Sequence, residues 1–300
     1  MPLDFPIVDA HQHFWDPRAN YYPWLCDAER RPLRYGDYSA LCRPYLPNEY
    51  RADAATHHVI KTVHVEAEWD PRDPIGETKW VSGLARRHGL PSAMVAQAWL
   101  DRDDVADVLT AQATCPLVRG IRHKPRSAER PDAATRGAPG SMDDQRWRDG
   151  FALLSRHRLS FDLQTPWWHL DAAAELAADF PQTTIILNHT GLPADRSAEG
   201  LAAWRQTLAT LAERPNAALK ISGLGLKGRP WQLADNAAVI HDAIAIFGSE
   251  RCMFASNYPV DSLRGSFDVI YTGFKASVAH LRKAAQRQLF HDNAIKFYRL

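Results

Sequence analysis

The segment VDAHQHF, residues 8–14, sets Asp9, His11 and His13 on alternate positions of an apolar run. Alternate side chains of a strand share a face, so these three are expected on one side, with Val8, Ala10 and Gln12 on the other. Two imidazoles so placed at a strand end can offer Nε2 or Nδ1 to a divalent cation. An HxH pair alone is also what a polar-spotted strand with no chemistry would show. The run TVHVEAEW (62–69) repeats the pattern with His64, Glu66 and Glu68 on one parity. Carboxylates are seldom buried without a partner. They are expected either to face the same polar surface as the histidines or to neutralise Arg122 and Lys124.

Four further runs carry polar groups at their ends. RGIRHKPR (119–126) gathers Arg122, His123, Lys124 and Arg126, donors suited to a small carboxylate, which arginine can hold through two bonds. The same cluster would also serve as a solvated loop edge. In DLQTPWW (162–168), Asp162 and Gln164 share a parity and Gln164 lies nearer the end. LNHTGLP (187–193) delivers His189 just after TTIIL has supplied the core residues. FASNYPVD (254–261) brings Asn257, Pro259 and Asp261 near the C-terminus.

Positioning these groups requires a regular scaffold. Eight short apolar runs bounded by turn formers read as strands: 5–14, 62–69, 91–100, 117–124, 159–165, 183–190, 216–224 and 251–259. Most intervening segments read as helices, notably 75–89 closed by Gly89, 197–215 and 231–248, with two more in 266–300. Eight strands alternating with helices predict an α/β fold, a single (β/α)8 TIM barrel spanning residues 1–300. A doubly wound sheet is the runner-up, but the glycine-rich first turn expected of it is missing. Two long connections, 15–50 (rich in Trp and Tyr) and 125–143, follow strand ends on the face where barrels build active sites. SGLGLKGRP (222–230) lacks the spacing of a nucleotide loop.

Composition narrows the partners. Thirty-six Lys and Arg nearly cancel 35 Asp and Glu, which leaves no electrostatic footprint for nucleic acid or an anionic membrane. A small-molecule substrate is expected, in a protein free to form a homo-oligomer. No apolar stretch reaches the ~20 residues of a membrane span. The N-terminus has no signal-peptide pattern. Cys26, Cys42, Cys115 and Cys252 form no CxxC pair, so reduced thiols and a cytoplasmic location are expected.

Together DAHQHFWD (9–16), RGIRHKP, NHTGLP and FASNYPVD resemble the amidohydrolase superfamily. The likeness covers the whole chain and points to the amidohydrolase-2 barrels related to sugar-acid lactonases and 2-pyrone-4,6-dicarboxylate lactonase. The resemblance implies hydrolysis at the C-terminal face of the barrel. His11 and His13 would be a metal-ligand pair, with His189 a further ligand or the group polarising the carbonyl. One divalent ion, Zn or Mn, is implied, in a branch whose members differ in needing it. One residue departs from the pattern: Asn257 stands where an aspartate usually takes a proton from water, and an amide cannot do so. Asp261, Glu66 and Glu68 are the candidate replacements. The catalytic set is thus His189, Asn257, Asp261 and Glu66. Glu68, Arg122, His123, Lys124, Gln164, Trp24 and Tyr35 are expected to bind substrate, the two aromatics from the 15–50 loop. The activity implied is opening of a small lactone of a sugar acid or an aromatic-degradation intermediate. Alternatives are a metal-dependent decarboxylase, an amide hydrolase, and, because of Asn257, a non-catalytic small-molecule binder.

Overall fold

The computed structural model describes residues 5–29 and 33–300, so residues 30–32 of the aromatic loop and the first four residues lie outside the description. Eight parallel strands follow chain order: β1 (Ile7–Gln12), β2 (Val59–Val65), β3 (Ala93–Gln97), β4 (Val118–Arg122), β5 (Ser160–Leu163), β6 (Ile185–Leu187), β7 (Ala217–Ile221) and β8 (Cys252–Phe254). Seven lie within the expected apolar runs, and β2 overlaps the run 62–69 but begins three residues earlier. The ring closes beyond the end of β8. There Tyr258 bridges Gln12, the Asn257 N–H donates to the His11 carbonyl (2.8 Å) and the His13 N–H to the Tyr258 carbonyl (2.7 Å). The fold is a (β/α)8 barrel, and its closure is made by the same residues that carry the candidate chemistry.

The helices are α1 (Pro23–Cys26), α2 (Pro47–Asp53), α3 (Gly76–His88), α4 (Val105–Ala113), α5 (Gln145–Ala152), α6 (Leu170–Asp179), α7 (Ala198–Ala212), α8 (Leu233–Phe247), α9 (Phe267–Ser277), α10 (Lys283–Arg287) and α11 (Asn293–Tyr298). Helix α7 illustrates how sequence places them. Ser197 caps it by accepting the Gly200 N–H (3.0 Å), and Trp204, Leu208 and Leu211 fall on one buried stripe at helical spacing. Each such side chain contributes roughly 1.5–3 kcal/mol by leaving water. Gly89 ends α3 at φ 72°, as the sequence predicts. The tail holds three helices among its described elements where two were expected, with a π-helical turn at Gln288–Asp292 joining α10 to α11.

Side chains alternate between two apolar layers. Val8, Ala10, Val63, Val65, Ala93, Val95, Ile186, Ala218 and Met253 fill the barrel with Tyr298 of α11, while their strand neighbours pack outward under the helices. Asp162 and Lys220 also point inward, fully buried and 2.5 Å apart, and Asp162 accepts from the Tyr298 hydroxyl (3.0 Å).

The alternation breaks in β1, and one expectation needs correction. Pairing with β2 is irregular between Asp9 and Gln12, as at a β-bulge. Asp9 faces outward, accepting from the Tyr50 hydroxyl of α2 (2.7 Å) and from the Ser256 N–H (2.8 Å) and hydroxyl (2.6 Å). His11 and His13 face the mouth, so the three do not share a side. His64 likewise faces outward, where its Nδ1 accepts the Phe14 N–H (3.1 Å) and its Nε2 meets Glu77 of α3 (3.0 Å). Glu66 and Glu68 lie past the end of β2, where strand parity no longer governs direction.

Candidate active site

His11 arrives from β1, and its Nε2 lies 3.2 Å from that of His13. The Nδ1–H of His13 donates to the Val65 carbonyl (2.7 Å), which orients the ring and leaves its Nε2 with a lone pair. Without a cation, His11 must then carry its proton on Nε2, and its buried Nδ1 is left with no partner. His189 completes the group: its ring centroid is 4.7 Å from that of His11, and its Nδ1 meets the Ser222 hydroxyl at 2.9 Å. Burial, reinforced by neighbouring cations such as Lys220 for His11, Arg122 for His13 and Arg34 for His189, lowers all three imidazoles well below the usual histidine range. They are neutral nitrogen donors at pH 7.

Backbone strain collects at the same place. Glu68 (φ 57°), His189 (φ 56°) and Asn257 (φ 55°) are all left-handed, a conformation costly for residues other than glycine and concentrated in proteins at working sites. At Gly223 (φ 62°), a Cβ would come 2.6 Å from His189 Nδ1, so the residue beside Ser222 must lack one.

Asn257 donates its amide to Asp261 (2.6 Å), and Asp261 also accepts from Tyr35 (2.9 Å). Burial raises the Asp261 carboxyl, and the nearby Arg34 guanidinium (3.9 Å) opposes the rise. Among the described residues its Oδ2 has no hydrogen-bond partner. Glu66 and Arg122 form a buried pair at 2.5 Å, and the second Glu66 oxygen accepts the Glu68 N–H (2.7 Å). Arg122 also donates to Gln164 (3.2 Å), and Lys124 pairs with Glu68.

A cavity of about 220 Å³ opens over these groups, lined by His13, Trp24, Arg34, Glu68, Arg122, Lys124, Gln164, His189 and Asn257 among others. Most of the expected residues therefore converge. His11 meets the lining residue His13, Glu66 holds the lining residue Arg122 and itself lines a neighbouring cavity, and Asp261 and Tyr35 stand behind Asn257. His123 lines a neighbouring cavity instead. Sequence reasoning missed Arg34, Ser222 and Gly223. Nothing marked Arg34 among the arginines of its loop, whereas the glycine-rich stretch after β7 did signal a close approach.

The donor set fits a divalent cation at the His11 and His13 Nε2 atoms, whose separation matches two ligands at ~2.0–2.1 Å about a tetrahedral centre. Among the described residues, no three His, Cys, Asp or Glu side chains converge into a fuller centre. Nor is any helix there long and apolar enough to cross a membrane.

An amidohydrolase family model matches residues 8–300. The uncharacterized protein y4mH of Sinorhizobium fredii is 41% identical over 99% of each chain. An L-fucono-1,5-lactonase of Burkholderia ambifaria is 26% identical, covering 98% of this chain and 95% of that one. The crystal structure of an amidohydrolase from Burkholderia multivorans with bound zinc superposes with a TM-score of 0.80 at 26% identity, covering 99% of this chain and all of the other.

Proposed function

We propose that this chain, which belongs to the amidohydrolase family, opens a small sugar-acid lactone at the mouth of its barrel. The observation that carries this reading is a cavity combining neutral His13 and His189 with the cations Arg34, Arg122 and Lys124. A neutral imidazole can take a proton from water, and an adjacent cation stabilises the oxyanion that forms. The likeness to a lactonase supports the substrate class.

In this mechanism Ser222 holds the His189 ring, which accepts a proton from the attacking water. The water oxygen adds to the lactone carbonyl, whose oxygen gathers charge beside Arg122 and Lys124. Collapse breaks the ring C–O bond, the ring oxygen takes the proton back, and a hydroxy acid leaves. Asp261 and Tyr35 fix the Asn257 amide, which orients substrate and does not act as base. Of the three candidate replacement carboxylates, Glu68 lines the cavity, Glu66 holds Arg122 and Asp261 holds Asn257. A divalent ion, Zn or Mn, would be held by His11 and His13 with His189 beside them, and would supply Lewis acidity for the carbonyl and the water.

The test is a screen of aldono-1,5-lactones with a pH-indicating dye, with and without added Zn or Mn, since ring opening releases a proton. Turnover that His11→Ala abolishes is expected. Absence of turnover on every aldonolactone, or full activity in the variant, would overturn the reading.

A further inference from the structure

A second cavity of about 460 Å³ adjoins the first, and Trp24, Glu68, Arg122 and Lys124 line both. These shared side chains border both spaces, and the hydrolytic chemistry leaves the second one unused.

Its wall carries an unusual aromatic. Trp99 is 41% exposed, yet its ring is backed by His123 (centroids 5.9 Å, planes 8° apart), which stacks in turn on Trp147 (6.2 Å). A tryptophan braced in this way offers a fixed apolar face to a ligand. Directed polar groups stand beside it. The His123 Nδ1 accepts from both the Leu100 N–H (3.0 Å) and the Trp147 indole (3.1 Å). A neutral ring so held must carry its proton on Nε2, and the nearest carboxylate, Asp101, is 4.0 Å away, too far for a hydrogen bond. Gln97 is 4% exposed and donates its amide to the Trp69 carbonyl (3.2 Å). That bond fixes which way the amide points and turns Oε1 into the interior, away from the open cavity. The accessible acceptor in the same wall is Asp101, whose side chain is 33% exposed and also lines the cavity.

A flat apolar face flanked by one fixed donor and one open carboxylate acceptor suits a hydroxylated ring, whose C–H face stacks while its hydroxyls both give and accept. We propose that this cavity is a subsite for a second hydroxylated ring, so that the substrate class is a lactone bearing an appended sugar unit. The inference rests on the proposed lactone hydrolysis for its placement but can be tested apart from it.

The 1,5-lactones of cellobionic, maltobionic and lactobionic acids share the ring of glucono-1,5-lactone and differ by one appended sugar. At least one should exceed glucono-1,5-lactone in kcat/KM by tenfold or more. Trp99→Ala should bring that ratio below about two, and Trp99→Phe, which keeps a stacking face, should restore at least half of it. Binding of the corresponding unreactive disaccharide, read by calorimetry, should weaken at least tenfold in Trp99→Ala and be at least tenfold tighter than binding of glucose. Disaccharide binding through Trp99 without any lactone turnover would sustain the subsite and refute the hydrolysis. Lactone turnover with a ratio near one, or tighter binding of benzoate than of any disaccharide, would refute the subsite.

Discussion

Replacing Glu66 by Gln isolates what holds Arg122 at the barrel mouth. Both side chains are 4% exposed and lie 2.5 Å apart. The Arg122 guanidinium also donates to the Glu66 carbonyl and to Gln164. Removing one charge of a buried pair costs about 3–5 kcal/mol, because the other remains desolvated. Gln keeps an acceptor for the Arg122 Nε, which places Glu66→Gln near ~3 kcal/mol, on the order of a hundredfold in the folded-to-unfolded ratio. Arg122→Met should cost as much or more, since it strands the Glu66 oxygen. In the double variant neither charge is stranded, so the two costs should fall short of additivity by about 2–3 kcal/mol. Urea unfolding of the four proteins, followed by tryptophan fluorescence, measures this, and kcat/KM on a turned-over lactone is read in parallel. If Glu66 serves by holding Arg122, the single and double variants lose similar activity. A cost under ~1 kcal/mol, additive stabilities, or activity losses that multiply would refute the reasoning and make Glu66 a direct participant in the chemistry.

Three further outcomes follow from the same geometry. His189 is neutral in the fold, with its pKa lowered by burial, so the unfolded chain binds the extra proton and stability falls as pH drops below ~6.5. His189→Gln should flatten that fall by up to ~1.4 kcal/mol per pH unit, checked by urea midpoints between pH 7.5 and 5.5. Asn257→Asp would set a second carboxylate against Asp261, where the amide now donates at 2.6 Å, and one of the two would keep a proton. Because that folded pKa is raised, the variant should lose stability relative to the parent as pH rises, while keeping measurable turnover; urea midpoints at pH 5 and 8 with parallel assays decide it. Gly223→Ala would push a methyl against His189 Nδ1 from a left-handed backbone, and a drop in kcat of tenfold or more with the fold intact by circular dichroism is expected.

The barrel was legible in the sequence because eight strands and the helices between them each obey a local period. The site was legible at its strand ends, where polar residues interrupt apolar runs. Direction was not. Parity carried Asp9 and His64 toward the mouth on paper, yet the irregular pairing of β1 and the outward partners Tyr50, Ser256 and Glu77 turn them away. Tyr50 and Ser256 lie more than forty residues from Asp9, and even Glu77, 13 residues from His64, belongs to a different element. Arg34 was hidden for the same reason: its place is defined by Asp261 and His189, both far along the chain. Glu66 and Glu68 were foreseen as partners of Arg122 and Lys124, because a buried or crowded charge leaves few alternatives.

The irregularity in β1 also acts as a phase setting for the whole reaction centre. With Asp9 latched outward to Tyr50 and Ser256, any change that let the strand alternate plainly through Ala10 would undo it. The imidazoles and Gln12 would then trade faces while the composition of the strand barely changed. The Asp9 carboxylate itself lies behind the strand and lines neither cavity. A lineage could therefore rebuild the loops for new ligands freely, yet loss of this one irregularity would silence every version of the enzyme at once.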